Sequence, residues 1–285
     1  MVSDKEFVKK FEQKVKNTIK KFNLISPKDK LVVAVSGGKD STAALYLLKK
    51  FGYDVEAVTV DAVIGKYTKE NRKNIEKYCK ENDINLHIIC FREVFGSSLC
   101  HIQSLLKQKG LNLRSCAVCG VLRRYLINKF VRKTNAAKVV TGHNASDEAQ
   151  VYLMNLFKNK QEMNARLGPL PGLIRSKLFV PRIKPLYLVT EDEVERYSKI
   201  MNFPVKYGRC PCAFDAYRNY IRNFLNEYKE INPGVHLNIV KHFLKELPEL
   251  RKKFETSKQV NVCKKCGEPA KEKTCRACQI LSHLQ

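Results

Sequence analysis

Apolar positions along this chain fall into two alternating rhythms. Over residues 3–25, Val8, Phe11, Val15, Ile19 and Phe22 recur at helical spacing, and Lys9, Lys10, Lys14, Lys16, Lys20 and Lys21 occupy the remaining face. This predicts an amphipathic helix, packed on one side and wet on the other, that ends before Pro27. Short β-branched runs at 31–35, 55–60, 86–90 and 138–141 then predict strands, and helical patterns at 40–51, 68–82, 117–134 and 147–158 separate them. Such alternation predicts an α/β fold with a parallel sheet covered by helices on both faces. Ligands of such sheets bind beyond the carboxyl ends of the strands.

Further helices are expected at 190–201, 217–229 and 234–254. The stretch 159–189 is less regular, with Gly168, Pro169, Pro171, Gly172, Pro181 and Pro185 among Arg166, Arg175, Lys177, Arg182 and Lys184. It reads either as a basic loop that closes over a large anionic substrate or as a plain surface connection. Four units are expected: an N-terminal helix (1–27), a catalytic α/β domain (28–205), a helical extension (206–258) and a small cysteine-rich module (259–285).

Composition narrows the class. A chain of 285 residues can bury one full α/β core and carry a small appendage. No stretch approaches the roughly 20 apolar residues that span a bilayer, and the first segment lacks the apolar region of a signal peptide. A cytoplasmic location without a membrane partner is expected. Lys and Arg number 53 against 28 acidic residues, a formal charge of +25. That surplus favours a polyanionic partner, because each phosphate a cation neutralises releases counterions. Of eleven cysteines, eight lie in close pairs, a pattern of metal or cluster ligation in a cytosolic chain. Cys79, Cys90 and Cys100 have no near partner and read as ordinary thiols.

The first strand runs directly into Ser36-Gly37-Gly38-Lys39-Asp40-Ser41, and Thr42 opens the next helix. Two glycines allow a sharp turn with bare N–H groups, and the helix start adds its positive end. Ser36, Ser41 and Thr42 supply hydroxyls, and Lys39 a cation. The spacing fits neither a Walker A loop nor a dinucleotide fingerprint. It resembles the PP-loop of N-type ATP pyrophosphatases, which cleave ATP between the α and β phosphates. A second turn, Thr141-Gly142-His143-Asn144-Ala145-Ser146-Asp147-Glu148, also follows a strand and opens a helix. It is similar to a stretch of tRNA-thiolating PP-loop enzymes. There the backbone at the counterpart of Gly142 contacts the nucleotide, and the counterpart of Asp147 lies beside the reacting groups. Asp147 can also serve as a helix cap.

Cys116 and Cys119 open a helix, where the backbone favours the thiolate that metals need, and Cys210-Pro211-Cys212 follows about ninety residues later. The run Cys-x-x-Cys-Gly-Val-Leu-Arg-Arg, with a distant Cys before Ala216-Tyr217-Arg218, resembles the TtuA/NcsA group of tRNA 2-thiouridine enzymes. The resemblance extends from about residue 30 onward. It implies a [4Fe-4S] cluster on Cys116, Cys119 and Cys210, with the fourth iron open to sulfide. Cys212 is an extra thiol that could replace Cys210 or complete a four-thiolate site, and a closed shell suits structural zinc. Arg123 stands where some relatives carry Lys. It can neutralise phosphate but cannot shuttle a proton, so a nucleotide-binding role is expected.

The tail, Cys263-x2-Cys266-Gly-x7-Cys275-x2-Cys278, has the spacing of a four-thiolate zinc site, and Gly267 permits the turn after the second ligand. Lys264, Lys265, Lys271, Lys273 and Arg276 make it a candidate RNA contact. Many members of the group begin with a second zinc module. Only Met1-Val2-Ser3 precede the first helix, so that module is expected to be absent.

Together these resemblances imply a reaction. ATP, with Mg2+, lies at 36–42, its adenine near Ala34 and Val60 at the ends of the first two strands. The 2-carbonyl oxygen of a tRNA uridine is adenylated, and sulfur replaces it to give 2-thiouridine at position 34 or 54. Cys116, Cys119, Cys210, Asp147 and Lys39 are the expected catalytic set. The sulfur would arrive as sulfide or from a ubiquitin-like thiocarboxylate carrier, and a homodimer is implied by analogy. Alternatives are a cluster-free persulfide thiolase or another PP-loop tRNA-modifying enzyme, though lysidine synthesis and nucleotide amidation need no Cys-x-x-Cys.

Overall fold

The computed structural model describes residues 3–174, 176, 178–213, 216–255 and 260–284. Helix α1 (Asp4–Lys21) is capped by Ser3, whose side chain accepts from the Glu6 N–H, and buries Phe11, Val15 and Ile19. The Phe11 ring stacks on Tyr197 at 4.3 Å, so the helix packs as its apolar stripe predicts. It stops short of residue 25 because Asn23 turns into the left-handed region at φ 48°.

The chain then alternates β1 (Leu31–Ala34), α2 (Lys39–Lys50), β2 (Val55–Asp61), α3 (Gly65–Glu81) and β3 (Leu86–Cys90). Two helices that the pattern had not predicted follow, α4 (Phe91–Phe95) and α5 (Leu99–Gln108), before α6 (Ser115–Val131). Next come β4 (Lys138–Thr141), α7 (Ala145–Phe157), the single turn α8 (Gln161–Asn164), β5 (Arg182–Ile183) and α9 (Glu191–Ile200). Helices α10 (Arg218–Ile231) and α11 (Val235–Lys253) form the extension, and the tail folds as β6 (Asn261–Val262), β7 (Pro269–Ala270) and α12 (Arg276–Leu281).

The five central strands are parallel, in the order β3-β2-β1-β4-β5. One face buries Leu31, Val33 and Val140 against α1, α2, α3 and α9. The other buries Val32, Val58 and Val139 beneath Val131 of α6. Helices cover both faces, as the alternation predicts. The strand order reverses between β1 and β4, and the crevice at that switch point is the natural ligand site of such a sheet.

The reading of 159–189 as a closing loop is corrected in part. The Glu148 carboxylate accepts from the Gly168 N–H and the Lys184 ammonium, both at 2.7 Å, and Lys184 is buried. The Arg251 guanidinium donates to the carbonyls of Leu167 and Leu170. These clamps pin both ends of the segment to α7 and α11, and Lys184 is spent on a buried pair rather than on a substrate. Arg175 and Lys177 lie outside the described residues.

Candidate active site

The turn after β1 and the turn after β4 meet at the switch point. Gly37 takes φ +76°, and a Cβ there would lie 2.3 Å from the Asn71 carbonyl oxygen of α3. A Cβ on Gly142 would lie 2.7 Å from the backbone of Asp40 and Ser41. Only glycine fits either position, so the two turns interlock at the start of α2. Within the first turn the Ser41 hydroxyl accepts from the Ser36 N–H and donates to the Gly38 carbonyl, each at 3.1 Å. Gly38 caps α2 without a side chain, which leaves the first N–H groups of that helix for a ligand.

A charged network lies beside it. The Lys39 ammonium sits 3.1 Å from both Asp40 and Glu191. Burial pushes its pKa down, but Asp40 and then Glu191 outweigh burial and hold it above the ordinary lysine value. Burial pushes Asp40 up, a rise that Lys39 opposes and the Asp147 charge adds to. Asn144 donates to Asp40 at 2.9 Å, and Asn144 and Asp147 form the capping box of α7. The second Asp147 oxygen accepts from Arg218 at 2.6 Å. Burial would raise the Asp147 pKa, yet Arg218, His143 and the Asn144 N–H hold it below the usual carboxylate value. Asp147 therefore caps α7 and also fastens the Ala216-Tyr217-Arg218 segment to its start, a tie absent from the sequence reading of this residue as catalytic or as a cap.

A cavity of about 290 Å³ opens from this point. Ser36 and Val60, the thiols of Cys116, Cys119, Cys210 and Cys212, and Arg123 all line it. Cys116 and Cys119 stand on the first turn of α6, and the Cys116 thiol reaches the Cys212 carbonyl at 3.7 Å. Burial raises the Cys119 pKa against the pull of the Arg123 guanidinium. The Cys212 thiol interacts with Cys100 and Cys210, and burial together with those thiols pushes it up to about 12. Cys100, read from sequence as an isolated thiol, is thus a neighbour of this group. The structure gathers Ser36, Val60, Arg123 and the four thiols around one space, with Gly37, Gly38, Lys39, Asp40, Ser41, Gly142 and Asp147 grouped at the interlocked turns. Ala34 lies in β1, paired with Val58 and Thr141, and is not among the cavity's lining.

Sequence missed the wall supplied by β2 and α3: Thr59, Asp61, Tyr67, Asn71 and Arg72. One signal was Asp61 at the carboxyl end of a strand. Its carboxylate accepts from the Val63 N–H at 2.8 Å, and Val63 is held at φ 55°, a strained conformation for a β-branched residue.

The tail thiols are arranged differently. Cys263, Cys266, Cys275 and Cys278 all lie within 4.8 Å of one another, the only such group among the described residues. Tetrahedral zinc with bonds of about 2.3 Å sets its thiolates about 3.8 Å apart, and the Cys266 and Cys275 sulfurs are 3.6 Å apart. These four side chains fit a single ion. The cavity thiols are spread around a larger space and fit a bulkier group.

Residues 7–229 match the profile of the PP-loop domain. The chain belongs to the PP-loop family. Within that family it is 33% identical over 280 residues to the tRNA-5-methyluridine(54) 2-sulfurtransferase of Pyrococcus horikoshii, covering 97% of this chain and 86% of that one. It is 29% identical over 300 residues to the tRNA 2-thiolation protein NcsA of Haloferax volcanii, covering 99% and 92%. Among solved structures, the U34-tRNA thiolase NcsA from Methanococcus maripaludis with its [4Fe-4S] cluster superposes with a TM-score of 0.80 at 25% identity, covering 98% of this chain and 89% of that one. The PP-loop assignment and the resemblance to tRNA 2-thiolation enzymes are thereby borne out.

Proposed function

We propose that this PP-loop protein is an ATP-dependent tRNA-uridine 2-sulfurtransferase. The observation that carries the reading is one cavity lined both by Ser36 of the PP-loop and by Cys116, Cys119 and Cys210. Activation and sulfur delivery require that proximity, since an adenylated uridine must meet its nucleophile before water does.

In this reading the phosphates of ATP, with Mg2+, occupy the open N-terminus of α2 and the hydroxyls of Ser36 and Ser41. Lys39 exchanges its contact with Glu191 for phosphate, and Arg123 neutralises charge from the thiol side. The uridine 2-oxygen attacks the α phosphate and pyrophosphate leaves, so the oxygen departs later as part of AMP. Cys116, Cys119 and Cys210 would hold a [4Fe-4S] cluster, which supplies the site where sulfide is bound for transfer. The spread of those thiols supports a cluster over a single zinc ion, and the crowding of Cys263, Cys266, Cys275 and Cys278 supports zinc in the tail.

The test is anaerobic purification, then incubation of tRNA transcripts with ATP and sulfide and nucleoside mass spectrometry. A 2-thiouridine product, mapped to position 34 or 54, is the expected result. Unchanged nucleosides with no pyrophosphate released would overturn the reading.

A further inference from the structure

Two neighbouring arginines of α6 point in different directions. Arg123 faces the cavity, and its buried Nε has no hydrogen-bond partner among the described residues. Arg124 is exposed, and its guanidinium folds back over Gly120, 3.4 Å from where a Cβ would stand. Arg124, Ile127 and Val131 are spaced three and four residues apart, one stripe of the helix. Ile127 and Val131 in that stripe pack with Val139 of β4.

On the neighbouring strand Arg182 is in register with Val139. Partners in a parallel ladder project to the same face, so Arg182 leaves the sheet toward α6, while Ile183 and Val140 enter the opposite core. Val180, two residues earlier, joins the same apolar group as Ile127. The stripe and the strand therefore bring Arg124 and Arg182 together. Burial, and then the Arg124 charge, push the Arg182 pKa down to about 10. Among the described residues no carboxylate stands against Arg124 or Arg182, and the Cys119 sulfur is the group that draws the Arg124 charge. Two half-solvated guanidinium groups repel each other, a cost that an anion between them reverses, and their planar forks match phosphate oxygens.

We propose that Arg124 and Arg182 form a phosphate clamp beside the thiol end of the cavity that takes a backbone phosphodiester of the RNA substrate. The proposal rests on the tRNA reading above. A nucleotide phosphate has the same chemistry, but the PP-loop anion site lies at the switch point, whereas Arg124 is exposed midway along α6. The clamp would hold the strand beside the middle of α6, with the target base directed toward the thiols at the start of that helix.

The experiment measures binding of a tRNA transcript and of ATP to the Arg124→Gln/Arg182→Gln double variant across a salt series. The expected result is tRNA affinity reduced about 10–30-fold, a slope of log K against log salt shallower by about one, and ATP affinity within about twofold. Arg182→Met alone should weaken tRNA about fivefold yet raise Tm by roughly 1–3 °C, because it removes an uncompensated, partly buried charge. An arginine with a merely structural role would lower Tm on the same change, and that result would overturn the clamp. So would unchanged tRNA affinity and slope, or a fall in ATP affinity alone, which assigns the pair to the nucleotide. A wild-type protein that binds no tRNA would sink the proposed function too, whereas tRNA binding equal in wild type and variant sinks only the clamp.

Discussion

In the tail, four thiols crowd within 4.8 Å of one another on two short turns. At the cavity, Cys116, Cys119 and Cys210 come from the start of α6 and from a segment ninety residues later, and they surround space rather than fill it. The difference lies in what frames each set. The cavity is walled in part by β2, α3 and the PP-loop, elements packed into the main core. The tail has only two two-residue strands and one short helix, too little apolar surface to fold alone, so in the proposed zinc reading its metal binding and folding are one event. Each set is tied to the body by a carboxylate. Glu268 accepts from Arg132 of α6 at 2.7 Å, and Asp147 accepts from Arg218 at 2.6 Å.

The contrast can be broken by substitution. Replacing Cys116, Cys119 or Cys210 by Ser should lower thiolation by about a thousandfold or more and remove the visible absorbance of the anaerobic protein, while zinc stays near one per chain by elemental analysis. Loss of zinc in those variants would show the two sets are not separate. Cys275→Ser should do the reverse: zinc lost, with Tm lower by roughly 4–8 °C if the tail contributes about 2 kcal/mol to the common core. A Cys275→Ser protein with unchanged zinc content would refute the four-thiolate assignment.

Smaller effects come from the ties. Arg218→Ala should cost about 1–2 kcal/mol at neutral pH, since it strands a partly buried carboxylate and loosens the segment carrying Cys210. Because Arg218 holds the Asp147 pKa below its unfolded value, this stabilisation is complete above about pH 4 and is lost as pH falls through the lower folded value. Denaturant melts from pH 7 down to 2 should show the wild-type and variant curves converging at the acid end; a constant gap would exclude the linkage. Glu268→Ala should cost a similar or smaller amount and loosen only the tail, visible as faster zinc transfer to a chelator. The smallest change is expected of Cys212→Ser: iron content within about twofold of wild type, which would assign the third ligand to Cys210. Full loss of iron in Cys212→Ser would reverse that assignment.

Much of this was legible from residues alone. The strand–helix alternation gave the sheet because periods of two and 3.6 are local properties, and both glycine turns were visible because their chemistry is local too. Helix α5 was missed although Leu99, Ile102 and Leu106 carry its buried stripe, since ten residues between Gly96 and Gly110 offer little periodicity to count. Strand β5 was missed because Pro181 and Pro185 bracket only three residues, two of them in the strand, which an edge position tolerates. The β2–α3 wall and Glu191 were illegible for another reason. Glu191 meets Lys39 across 152 residues, a pairing that exists only once the sheet has been wound.

Helix α6 has a consequence for how the protein is made. Its first turn carries Cys116 and Cys119, its last turns hold Glu268 through Asn128 and Arg132, and its buried Leu122 and Leu126 share one apolar group with Cys263, Cys275 and Cys278. A ribosome extrudes the cavity's residues well before those of the tail. The helix that displays the cavity thiols is thus unsupported on one side during synthesis, and in the proposed reading its loading should be completed only after zinc has closed the module behind it.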